Sequence, residues 1–382
     1  MISKKKVTAL ALAGLFVTPV LAATEVDYNE IRSGDGYLTA DDNLFSEALE
    51  NSLNRTDSSK NAVKLSMYGK YDDTSNDGLT ELKLSSGKTY DNVNYILFAD
   101  NSGQDNAIHR SSFSLDETTL TLSKGVIFRN ASNFIERNGD GSFDENKRKQ
   151  LKNESVLNLS QSTLTGAVIN QFDTFRESSS YYYQISKENN TTVVLTESQW
   201  TGDLKDEVNL NGNSLGKPVD KSEAASKNVI SLTDGSSWTG GVDVAKKSTV
   251  DVTLDETSSW TVSSNSRVNS IRLAQSESRQ AAENNGVTIV NGVTLTIAEG
   301  DSAQSNIGRL HTGTGSSLVV EKADVTINSI GGSGAGQLNK NGFVTIEAAS
   351  DEVNATLTSL DGSKLTTAEN VSASVTIAGA LA

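Results

Sequence analysis

Six times in this chain a leucine is followed, five or six residues later, by a leucine or tryptophan and then a threonine. The copies are Leu115–Leu120–Thr121, Leu159–Leu164–Thr165, Leu195–Trp200–Thr201, Leu232–Trp238–Thr239, Leu254–Trp260–Thr261 and Leu360–Leu365–Thr366. The residues between are small and polar, and all three tryptophans of the protein occupy the same point of the unit. From Leu120 the anchors are 44, 36, 38, 22 and 105 residues apart. Several of these lie near multiples of 22, which points to a repeat of roughly 20 to 25 residues and hence to a solenoid. Runs such as "SVLNLS", "TTVVLTES", "STVDVTLDE" and "GVTLTIAEG" are short, β-branched and of period two. Gly, Asn, Asp or Ser bounds each of them, which makes the repeat a β-solenoid.

The leucine, valine and tryptophan positions are expected to point inward and to stack on the same position one rung away. Leu120, Leu164, Trp200, Trp238, Trp260 and Leu365 are therefore expected to form the repeat core. Each rung turns sharply about three times, at corners where Asn, Asp and Gly tolerate positive φ. The predicted fold is all-β, a parallel β-helix with roughly three sides. Residues 106–382 would supply roughly 12 to 13 rungs, a rod of about 60 Å at about 4.8 Å per strand.

The first 22 residues read as a secretory signal. Lys4, Lys5 and Lys6 form its basic start, "VTALALAGLFVTPVLA" its apolar stretch, and Val20-Leu21-Ala22 the small residues of a cleavage site. Its apolar run is short for a span of about 30 Å, and no later stretch approaches 18 apolar residues, so no membrane insertion is expected after its removal. Losing three lysines takes the formal charge from −15 to −18. Such a surface argues against nucleic acid or anionic membrane as partner. With no cysteine in the chain, neither disulfides nor thiolate metal sites are available. Ladder hydrogen bonds and stacked apolar side chains must hold the rod.

Residues 23–105 are less regular and are expected to form an N-terminal cap with the first irregular rungs. Asp41 or Asp42 is positioned to cap a short helix, "NLFSEALENSLN", with Leu44, Phe45, Ala48, Leu49 and Leu53 on one face. From about residue 106 to 382 the rungs dominate. Two polar stretches, 135–153 and 274–286, are expected as loops thrown out from one face, where specific contacts usually live.

"LTESQWTGDL" (195–204), "LTDGSSWTGGV" (232–242) and "LDETSSWTVSSNSRVNSIRL" (254–273) resemble rungs of pertactin-like autotransporter passenger domains, over most of residues 106–382. The resemblance implies a secreted right-handed β-helix of a Gram-negative bacterium. It identifies a scaffold and no activity, because passengers of this kind carry many functions. Members of that family end in an outer-membrane β-barrel, whereas this sequence ends "SVTIAGALA". A separately encoded translocator is accordingly a possible partner.

No credible catalytic, cofactor-binding or metal set emerges. Gly300-Asp301-Ser302 resembles a serine-protease nucleophile segment, but the following glycine is missing and His311 lies only nine residues on. Asn138-Gly139-Asp140-Gly141 with Asp144 looks like half a calcium loop, yet Lys147 stands where a bidentate Glu belongs. Polar corners and a solvated turn are the simpler readings. Tyr181-Tyr182-Tyr183 reads as a strand with one buried ring, or as a binding patch. The pairs Thr119–Thr121 and Thr294–Thr296 look scattered, which weakens any flat ice-binding face. "GGSGAG" (331–336) is a flexible loop and no phosphate cradle.

The expected function is a non-enzymatic surface or secreted adhesin-type scaffold. Its partner would be a protein or glycan of a host or neighbouring cell. The alternatives are a barrel-less remnant held in the periplasm and a polysaccharide-acting β-helix enzyme.

Overall fold

The computed structural model describes residues 24–27, 30–33, 37–53, 61–67, 78–100, 108–130, 132–138, 140, 142–149, 152–173, 181–185, 188–209, 222, 224–274, 286–298, 305–313, 315–331, 336–346, 355–359, 364–367 and 376–378. The secretory-signal segment 1–22 and the Gly300-Asp301-Ser302 segment lie outside them.

Parallel strands stack into an all-β helix with three faces. The first face is an eight-stranded sheet that includes Ile108–Asp116, Lys152–Ser160, Glu188–Thr196, Lys227–Thr233 and Thr249–Asp255. Its inner row is a ladder of leucines in direct register: Leu84, Leu115, Leu159, Leu195, Leu232, Leu254 and Leu273. The leucines that open five of the sequence units are thus consecutive steps of one ladder.

A sharp corner follows. Glu117, Gln161, Glu197 and Asp234 take φ of 50°, 49°, 52° and 56° there, a left-handed conformation uncommon for non-glycine residues. The amides just beyond are met by a stair of hydroxyls. Thr118 N–H donates to Ser162 Oγ at 3.0 Å, Ser162 N–H to Ser198 Oγ at 3.0 Å, and Ser198 N–H to Ser236 Oγ at 3.1 Å. Ser162 and Ser198 pass their own protons to the carbonyls of Ser160 and Thr196. Buried corner amides need such partners because no ladder reaches them.

The second face is a set of short strands, including Gln199–Thr201, Ser237–Gly240 and Ser259–Val262. It turns into the third, which runs in thirteen layers among the described residues, from Glu30–Ser33 to Thr376–Ala378. Twelve steps of about 4.8 Å span about 60 Å. Three of these layers precede residue 106 and ten follow it, against an expectation of 12 to 13 for residues 106–382. The difference has a physical cause. Leu120 pairs directly with Leu164, Leu164 with Trp200 and Trp200 with Trp238. The 44-, 36- and 38-residue spacings are therefore single rungs and not multiples of 22.

At the N-terminal end Thr24–Asp27 pairs antiparallel with Glu30–Ser33, and the helix Asp42–Leu53 lies over the stack. Asp41 caps this helix, its Oδ1 accepting from Asn43 N–H at 3.0 Å and Leu44 N–H at 3.1 Å. Phe45 and Ala48 are fully buried, with Leu44 and Leu49 packed beside them. Phe45 meets the Tyr90 ring edge-on at 5.1 Å.

Candidate interaction surfaces

The excess length of the long rungs sits almost entirely at one corner, between the third face and the first face of the next rung. Asp243 and Thr249 are six residues apart there. The equivalent pairs Ile127–Glu154, Ile169–Asn190 and Lys205–Lys227 are 27, 21 and 22 apart. Those excesses of 21, 15 and 16 residues nearly match the 22, 14 and 16 by which the anchor spacings exceed 22. Three consecutive rungs thus throw out long segments from the same edge of the rod.

Two of the segments meet. Ser132–Arg137 and Phe143–Lys149 form an antiparallel hairpin. Tyr181–Ile185, which leaves the next rung, adds to its open side, with Tyr182 opposite Ile135 and Tyr183 opposite Phe134. This three-stranded sheet is separate from the sheets of the rod. Part of the stretch 135–153 expected as a loop is therefore strand, and the tyrosine triplet belongs to the same unit. Asn138 and Asp140 of the segment that looks like half a calcium loop lie between the hairpin's two strands, and Asp144 lies in the second strand. Asp140 Oδ1 accepts from Ser142 N–H at 2.9 Å and Ser142 Oγ at 2.6 Å. The Ser142 hydroxyl, then its amide, hold the Asp140 carboxyl below its ordinary range.

A buried polar network anchors the corner from which these segments leave. Asp206, 2% exposed, accepts from Asn170 Nδ2 at 3.0 Å, Ser226 Oγ at 3.0 Å, Ala245 N–H at 3.0 Å and Ser248 Oγ. Asn228 Nδ2 donates to Ser226 Oγ, and Thr191 Oγ1 donates to Asn170 Oδ1. Beside it Asn153 donates to Asn189 at 2.6 Å, and Asn189 to the Ala225 carbonyl at 2.9 Å. Where the chain leaves the sheet its polar groups lose ladder partners, and these side chains replace them.

Five of the six anchors lie in one row of the stack. Leu120, Leu164, Trp200, Trp238 and Trp260 pair in succession, each 1% exposed or less, and Val287 and Leu310 continue the row. The three indoles are parallel within 3° at 4.8 and 4.6 Å. Leu365 follows another row: its partner is Val344, and Val344 pairs with Val325, whereas Leu310 pairs with Ile330.

His311 is half-buried in the strand Ser305–Thr312, opposite Thr288. Among the described residues no three of His, Asp and Glu gather where a metal ion could sit, and no helix is long and apolar enough to cross a membrane. Residues 275–285 of the second expected loop and 332–335 of the glycine-rich loop lie outside the described residues. Sequence reasoning missed that the segment 174–187, in which it singled out Tyr181–Tyr183, is thrown out from the rod, and it missed the polar network. The first carried a signal in the 36-residue anchor spacing; the second hides inside strands that read as ordinary alternation.

Compared with known proteins, the chain matches no family model, no curated protein and no solved structure.

Proposed function

We propose that this chain is an exported, passenger-like, right-handed β-helix that acts as a non-enzymatic interaction scaffold at the cell surface or after secretion. The carrying observation is the separate three-stranded sheet built by segments from two consecutive rungs. Its three strands pair with one another and with no strand of the rod's own sheets. Long segments presented from one edge of a repetitive scaffold are the usual place for partner contacts. The basic start and apolar stretch of residues 1–22 support export. The W-T-G rungs support the passenger likeness.

The partner is a protein or glycan of a host or neighbouring cell. A separate outer-membrane translocator would carry the chain across. Fractionating producing cells with an antibody to residues 23–382 tests this. Antigen on intact cells or in the medium is expected, together with binding to a cell and matrix panel above that of an unrelated acidic protein. Antigen confined to the periplasm would overturn the reading.

A further inference from the structure

The threonines that end five of the six repeat units form one outward row, which Thr288 continues. Thr121, Thr165, Thr201, Thr239, Thr261 and Thr288 pair in direct register over six consecutive rungs. Each is exposed or half-buried. Two residues earlier on the same strands a second row runs parallel: Thr119, Thr163, Gln199, Ser237 and Ser259. Thr119 is thus one member of a continuing lattice, whereas Thr296 pairs with Arg267 and Val319 on another face. The lattice repeats at about 4.8 Å along the rod and about 7 Å across it, and five steps cover about 24 Å.

All eleven positions are uncharged. The other faces differ: Arg110, Glu154 and Lys227 stand outward on the first, and Arg129, Lys205 and Glu207 on the third. The corner beside the lattice is acidic. Asp116, Glu117, Glu197 and Asp234 are exposed there, with Gln161 donating to Glu197 at 2.7 Å.

We propose that this face binds a neutral linear polysaccharide laid along the rod axis. The inference rests on the scaffold reading and names the class of one ligand. A hydroxyl both donates and accepts, so a Thr/Ser row can meet sugar hydroxyls in either sense. The threonine methyls offer apolar patches to the C–H faces of the rings. The acidic corner repels polyanions, which selects a neutral chain over an acidic one.

The experiment is affinity electrophoresis of the purified residues 23–382 in gels containing laminarin, mannan or alginate. Retardation by at least one of the two neutral polymers, and none by alginate, is expected. Thr201→Val with Thr239→Val keeps strand propensity and removes two hydroxyls. Thr201→Lys with Thr261→Lys, two rungs apart, interrupts the lattice while leaving the buried row intact and sets no two lysines directly opposite each other. Each pair should weaken retardation about tenfold with an unchanged urea midpoint. Equal retardation of the variants would overturn the proposal, as would no retardation by either neutral polymer. Inhibition of ice recrystallisation that the same substitutions abolish, without glycan retardation, would also overturn it. Cell binding by the intact chain that survives both variants would leave the scaffold reading standing while this inference fell.

Discussion

The indole Nε1–H of Trp238 donates to the carbonyl oxygen of Gly202, one rung away, at 2.8 Å. Trp200 does the same to Gly166 at 2.9 Å, and Trp260 to Gly240 at 3.1 Å. Where the next rung brings no tryptophan, the residue after the threonine is not glycine: Leu122 precedes Leu164 and Val262 precedes Val287. The carbonyl that takes the indole proton also occupies the next rung's side-chain space. A Cβ at Gly202 would lie 1.9 Å from Gly166 O, and one at Gly240 1.9 Å from Gly202 O. The W-T-G unit is therefore a pairing of stacked rings with stacked glycines.

This interlock makes graded expectations for the urea midpoint. Trp238→Phe keeps a ring in the stack and loses the donor, at a cost of about 1–2 kcal/mol. Trp238→Ala opens a cavity between two indoles and should cost about 3–5 kcal/mol. Gly202→Ala puts a methyl against backbone that cannot swing away and should cost about 3 kcal/mol. A Gly202→Ala protein as stable as the parent would contradict the interlock.

Asp206 tests the network under the insertion corner. Asp206→Ala leaves Asn170 Nδ2, two serine hydroxyls and the Ala245 amide without their shared acceptor. The expected loss is at least about 3 kcal/mol by chemical denaturation. Asp206→Asn keeps one acceptor oxygen and should lose less. Equal stability of the alanine variant and the parent would show that the network does not hold the corner.

Acid should loosen the N-terminal rungs. Burial tends to raise the Asp42 carboxyl, but hydrogen bonds from the Ser85 amide, Ser86 and Tyr90, with the nearby Lys88 charge, prevail and hold it below its ordinary value. Asp255 is lowered likewise, burial being outweighed by the Asp234 amide and Thr257. A carboxyl with a depressed folded value stabilises the fold above its unfolded pKa. That stabilisation disappears as pH falls through the folded one. The urea midpoint should thus decline as pH drops below about 4, and Asp42→Asn should flatten the decline. A midpoint that Asp42→Asn leaves equally steep would assign the acid sensitivity elsewhere.

The rungs were legible because leucine and tryptophan recur at positions that pair directly. Asp41 and the face of Phe45 and Ala48 were legible from local capping and period. The rung count was not, since a chain leaving and rejoining a rung looks the same in sequence as a second rung. The side sheet was hidden for a related reason: Tyr182 and Ile135 lie far apart in sequence, and the charges of "IERNGDGSFDENKRK" mask the hairpin's alternation. The threonine lattice was in plain view in the repeat unit. Its continuity depends on which rungs adjoin, which only the register of Thr121 on Thr165 and its successors supplies.

The most direct measurement replaces residues 131–151 and 174–187 by short Gly–Ser links and compares the variant with the parent chain in thermal unfolding and in binding to a cell and matrix panel. The account predicts a β-rich rod of nearly unchanged melting temperature whose binding to the panel falls sharply, what remains being the polysaccharide contact of the threonine face. A folded variant that binds as well as the parent would contradict the claim that the side sheet carries the partner contact.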